Sequence, residues 1–250
     1  AGVLNIAADR NLGAEPVTAD ADALTLDGGT LQVTANTTFA STRGITLGSG
    51  GGTFRIDPSA TLNVAGAMVG AGGLIQSGGG TLLLGGDNPY SGGTTVSGGT
   101  LFGGDASEGR TAFGSGAITL GSGATLWTDR GNLANALVLA GGTLKGTNGF
   151  GESWSGNISL NAMSIVDVGY SMTLSGNISG AGMLSKAGAG VLNLSGSNSY
   201  TGGTQINAGT LALGSAGALG SSGTIGFGGG TLQFGAANTT DYSARFGSTA

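Results

Sequence analysis

Neither cysteine nor histidine occurs anywhere in the 250 residues. That double absence removes disulfides, thiolate and imidazole metal sites, and every nucleophile that depends on a His base, Ser-His-Asp and Cys-His arrangements included. A chain without thiols also suits passage through an oxidising compartment. Charge is scarce as well, at 8% of residues, with a net charge of −5 and a pI near 4.4. No basic stripe exists for a phosphate backbone to follow, so nucleic acid is excluded as a partner. No apolar run approaches the roughly 18 residues of a membrane-spanning helix, so this segment is not expected to insert into a membrane. No signal-peptide pattern opens the chain, which reads as a mature protein or an excised fragment. There is no G-x-S-x-G elbow and no phosphate-binding loop. No cofactor, no metal and no catalytic residue is therefore expected.

Proline is rare too, with three residues, whereas glycine is abundant, with 56. Glycine inside a helix or strand costs about 0.5–1 kcal/mol relative to alanine. Dozens of misplaced glycines would exceed the roughly 5–15 kcal/mol that holds a domain together. They are tolerable where turns demand positive φ or where backbones approach closely. Hydrophobic residues make up 39% and mean hydropathy is +0.22, so the chain is not a disordered Gly-rich linker. Collagen is excluded because no strict Gly-X-Y period is present. Many short strands joined by tight turns satisfy these constraints together.

The strongest pattern is an internal repeat. Residues 70–101, GAGGLIQSGGGTLLLGGDNPYSGGTTVSGGTL, recur at 180–211 as GAGMLSKAGAGVLNLSGSNSYTGGTQINAGTL, 110 positions on, without a gap and with 17 of 32 residues identical. Leu74/Leu184, Leu82/Leu192, Leu84/Leu194 and Leu101/Leu211 form apolar columns, while Asn88/Asn198 and Tyr90/Tyr200 stand among recurring glycines. Around these copies a Thr-Leu or Thr-Phe beat falls at Thr30, Thr53, Thr81, Thr100, Thr125, Thr143, Thr173, Thr210 and Thr231, with Val191-Leu192 filling one slot. Apart from two longer steps, Thr53 to Thr81 and Thr143 to Thr173, the beat returns every 18–25 residues. Three short strands and three corners need about that many, which is one coil of a parallel β-helix. Period-2 alternation then turns Leu82, Leu84, Leu192 and Leu194 inward and Thr81 and Thr100 toward solvent. The expected fold is all-β, a single-stranded parallel β-helix solenoid over 24–250. Residues 1–23, weakly repetitive and acidic, are assigned to a first coil or cap.

The two repeat copies resemble the autotransporter-associated β-strand repeat of passenger regions in bacterial type V secretion proteins. NLANALVLAGGTL (132–144), AFGSGAITLGSGATL (112–126), ALGSSGTIGFGGGTLQF (218–234) and ANTTDYSARF (237–246) extend the likeness, so that it covers about residues 40–250. The resemblance implies a right-handed β-helix displayed at the surface of a Gram-negative cell, a structural or adhesive stalk. A surface ligand of a host or neighbouring cell is the partner it implies. The alternative is a carbohydrate-active β-helix enzyme of the glycan lyase or hydrolase type. The chain shows neither the secretion signal nor the C-terminal barrel of a complete family member.

Candidate site residues are few. Paired carboxylates for glycan cleavage could come only from Asp20, Asp22 and Asp27, or from Asp105 with Glu108; solvated turn positions are the ordinary reading of all five. A repeat-in-toxin calcium series is absent, because GGDN at 85–88 has Ser195-Gly196-Ser197-Asn198 as its counterpart. Asn88 and Asn198 are expected in turns, where Asn tolerates left-handed backbone and bonds its own main chain. Five N-x-S/T sequons (Asn36, Asn157, Asn177, Asn193, Asn238) match what the Asn, Ser and Thr content produces. The longest step in the beat, between Thr143 and Thr173, holds Phe150, Glu152 and Trp154 and reads as an inserted binding loop or as an aromatic folded back on the solenoid. Asp105, Glu108 and Arg110 form a second loop candidate. The last residues, Gly-Ser-Thr-Ala, contain no obvious cap, so end-on or lateral self-association is expected.

Overall fold

A computed structural model describes residues 2–103, 112–129, 131–147 and 151–247. Among these residues the only helical pieces are two short 3-10 turns, Asp9–Leu12 and Ser243–Arg245; the rest is short strands and corners. Every strand pairing among the described residues is parallel. The fold is an all-β parallel solenoid, divided into two compact units, Ala1–Trp127 and Thr128–Ala250.

In the first unit the chain winds over three sheets in turn. One stacks Val3–Ile6, Gly29–Val33, Gly52–Ile56, Leu74–Ser77, Thr94–Val96 and Ile118–Leu120. The next stacks Thr37–Phe39, Thr61–Val64, Thr81–Leu84 and Thr100–Gly103, and the third Asp20–Leu26, Arg43–Leu47 and Met68–Gly70. Val3–Ile6 pairs with Gly29–Val33, so the opening residues supply a strand. The 3-10 turn after it is held by Arg43, buried at 2% exposure. Its Nε lies 2.7 Å from Asp9 Oδ1 and its Nη2 donates to the carbonyls of Gly13 and Ala14. A buried guanidinium is tolerated when a carboxylate and carbonyls meet its donors in this way.

The second unit repeats the principle. One sheet stacks Asn132–Leu133, Glu152–Trp154, Ser171–Leu174, Val191–Leu194, Thr210–Leu213 and Thr231–Phe234. A second stacks Leu137–Leu139, Ile158–Leu160 and Ile178–Ser179, and a third Thr143–Gly146, Ser164–Val168, Leu184–Ala187, Thr204–Ile206 and Ile225–Phe227.

Registered pairing turns the alternation into columns. In the first unit Leu62, Leu82 and Leu101 lie in one inward column. In the second, Met172, Leu192 and Leu211 lie in another, and Leu174, Leu194 and Leu213 in a third. Leu82, Leu84, Leu192 and Leu194 are all fully buried. Outward, Thr61, Thr81 and Thr100 stack in register and are half-buried.

The beat is not a single ladder. Thr30 and Thr53 belong to one sheet, whereas Thr81 belongs to another in which Thr61 is the earlier rung, so the long first step joins different columns. The second long step holds a complete coil. Thr143 is in register with Ile165, and Thr173 stands in a different sheet, where Ser171, Val191, Thr210 and Thr231 form the matching column.

Candidate functional site

The two repeat copies build the same corner. After Thr81–Leu84 and after Val191–Leu194 the chain forms no third strand but closes through Asn88-Pro-Tyr90 and Asn198-Ser-Tyr200. Both Tyr rings are fully buried where a strand's inward residues would stand. Tyr90 Oη lies 2.5 Å from Thr94 Oγ1, and Tyr200 Oη 2.7 Å from Thr204 Oγ1. Burial pushes both phenol pKa values up, against the lowering effect of those hydrogen bonds.

The two Asn side chains differ from the turn residues their sequence suggests. They are 0% and 7% exposed, and neither has positive φ; Ser59 is the only non-Gly residue with it among the described residues. Their amides bridge coils, and that of Asn88 also bonds its own corner at Gly86. Asn88 accepts from the Met68 N–H at 2.9 Å and donates to the carbonyls of Gly86 and Ala112. Asn198 accepts from the Ile178 N–H at 2.8 Å and donates to the Ala218 carbonyl at 2.5 Å.

A second shared device is a long polar side chain inside an apolar column. Gln76 stands between Phe54 and Val96, and Lys186 between Val166 and Ile206; both are fully buried. Gln76 Nε2 donates to the carbonyls of Gly80 and Thr100. Lys186 Nζ donates to those of Ala187, Gly188 and Ala208. Each thus spends its buried donors on backbone carbonyls in or beside a corner, as buried polar groups must. Sequence reading missed this role, although the shared position within the repeat marked it.

Of the loop candidates, Glu152 and Trp154 lie in a strand. Trp154, 1% exposed, fills a rung between Leu133 and Leu174, and its Nε1 donates to the Asn135 carbonyl at 2.8 Å. Glu152, 5% exposed, is in register with Met172 and its carboxylate accepts from the Thr128 hydroxyl at 3.3 Å. Neither presents a surface. Phe150, Asp105, Glu108 and Arg110 lie outside the described residues. The structure gives the remaining acids local work. Asp20 accepts from the Asp22 N–H, Asp22 from the Thr46 hydroxyl and Asp27 from the Gly50 N–H.

Two adjoining open concavities, about 350 and 220 Å³, run along corners of the first unit and share Gly92, Gly93 and Thr95. Their floor is backbone because the coils nearly touch: a Cβ on Gly92 would come within 2.7 Å of the Ala71 carbonyl oxygen. The lining offers hydroxyls and the Ile75 side chain, with no ionisable group. Nothing there can serve as acid, base or carboxylate pair. Among the described residues no three potential metal ligands gather.

The passenger-associated-transport-repeat family model matches residues 74–101 and 184–213, the two stretches that carry these corners. The chain carries two copies of this passenger repeat. The adhesin BmaC autotransporter of Brucella suis biovar 1 (strain 1330) is similar, 34% identical over 111 residues, which are 43% of this chain and 3% of that protein. The chain thus spans only a small part of the length of that curated relative. No solved structure matches it. Passenger segments of this kind are displayed outside the bacterial cell, on its surface. Among the described residues no helix is long and apolar enough to cross a membrane.

Proposed function

We propose that this passenger segment is an adhesive stalk, a stack of coils that carries contact surface away from the outer membrane toward a host or neighbouring cell. The observation that carries the reading is the pair of repeats matched by a passenger family, beside the similarity of part of the chain to a protein named as an adhesin. Non-enzymatic action belongs to the same proposal. The concavities hold no carboxylates, and Asp20, Asp22 and Asp27 are engaged in local hydrogen bonds. Asp105, Glu108, Arg110 and Phe150 are the contact residues this reading retains. Self-association, end-on or lateral, is part of it, and sedimentation at rising concentration reads that directly.

The test uses microspheres coated with the folded 250-residue chain, added to an epithelial cell monolayer and to a bacterial lawn. Attachment several-fold above albumin-coated beads on either surface is the expected result. Quadruple alanine replacement of Asp105, Glu108, Arg110 and Phe150 should reduce it. Background attachment on both surfaces, with release of reducing sugar from a polysaccharide panel, would replace the adhesive reading with the enzymatic one.

A further inference from the structure

Each Asn–Tyr corner stands at the place where a sheet stops. In the second unit, Leu137, Ile158 and Ile178 are in-register first residues of three successive strands. The Leu137 N–H donates to the backbone carbonyl of Asn157, and the Ile158 N–H to that of Asn177, both at 2.9 Å. The Ile178 N–H donates at 2.8 Å to a side chain, Asn198 Oδ1. The first unit repeats the substitution. The Ile45 N–H goes to the backbone carbonyl of Ala67, whereas its in-register successor Met68 donates to Asn88 Oδ1. Met68–Gly70 and Ile178–Ser179 are the last strands of their sheets.

We infer that Asn-x-Tyr-x-x-x-Thr is a sheet terminator: its Asn carbonyl replaces the carbonyl of a missing next strand, and its Tyr ring fills the interior that strand would have occupied. The other end of each amide continues the stack, since Nδ2 donates onward to Ala112 or Ala218. The Thr hydroxyl closes the device by meeting the buried phenol, and Thr94 also donates to the Phe113 carbonyl. An open sheet edge is a template for strand addition by another chain. Here the opening N–H of the terminal strand already has an acceptor, and the coil stacked on it offers no strand to extend. The passenger can thereby drop one of its sheets without exposing an edge to a second copy of itself. Asn238 and Tyr242 lack this spacing. Asn238 Nδ2 donates to the Ser215 carbonyl and to Tyr242 Oη, and its Oδ1 accepts the Thr240 N–H, so no strand is capped there.

The test is amide hydrogen exchange by NMR on the full 250-residue chain and its Asn198→Ala variant. The Ile178 amide should exchange at least about tenfold faster in the variant, with Ile158, whose acceptor is backbone, unchanged. Asn88→Ala should release Met68 and leave Ile45 protected. Should either variant fail to fold, the unaltered chain decides: a through-hydrogen-bond coupling should join the Ile178 amide nitrogen to the Asn198 side-chain carbonyl carbon. Equal Ile178 protection in a folded Asn198→Ala variant, or a coupling to a backbone carbonyl instead, would overturn the assignment.

Discussion

Lys186 and Gln76 show how a single residue is fitted to a coil. Both interrupt an apolar column, yet each reaches corner carbonyls that no other side chain meets. Lys186→Leu should therefore take the side-chain donor from three carbonyls and cost about 1–3 kcal/mol, whereas Lys186→Gln, which copies the other repeat, should cost under about 1 kcal/mol in urea unfolding. Desolvation lowers the Lys186 pKa below its ordinary 10.5, opposed by the Asp167 carboxylate, whose own partner is Lys145. The folded state thus holds the ammonium proton less tightly than the unfolded chain does. As pH rises from the folded pKa toward 10.5, the unaltered chain should gain stability relative to Lys186→Gln. Tyr90 and Tyr200 act in the opposite sense. Their raised pKa values mean that only the unfolded chain ionises them just above their ordinary 10.0, so they withdraw stability as pH climbs past that value. Tyr200→Phe should flatten the alkaline limb, and phenolate absorbance from the two buried rings should appear together with loss of the sheet signal. On the apolar columns, Leu192→Ala should cost about 2–5 kcal/mol, against less than about 0.5 kcal/mol for Thr100→Ser on the outer face.

At the scale of elements, strands were legible and corners were not. Leu-x-Leu alternation is enough to place Leu82, Leu84, Leu192 and Leu194 inside, because burial selects apolar residues at period two. The same logic misplaces whatever is polar. Asn88 and Asn198 read as turn residues, and their burial depends on acceptors and donors 20 or 24 residues away that no local pattern displays. Glu152 and Trp154 read as loop because Gly and Ser surround them, yet registered pairing puts Trp154 in a leucine column. The beat failed where a rung is not threonine, as at Ile165 and Ser171. Close stacking of corners also gives a prediction. A Cβ at Gly176 would lie 2.8 Å from the Ser155 carbonyl oxygen, and backbone cannot rotate away as a side chain could. Gly176→Ala should therefore cost about 1–3 kcal/mol in chemical denaturation, as overpacking does.

For the molecule as a whole, stability is distributed along the stack, since each coil touches chiefly its neighbours and its energy is close to a sum of coil and interface terms. Deleting residues 102–211 joins two equivalent repeat positions and should leave a shorter chain whose circular dichroism still reports sheet; loss of that signal would contradict the additive description. Adhesion, in this account, belongs to the assembled coils and not to a linear epitope. The decisive measurement follows bead attachment and the sheet dichroism of the coating chain through one urea titration. The account predicts that both are lost with the same midpoint and recover together on dilution. Attachment that persists after the sheet signal has gone would show that the solenoid is not what makes contact.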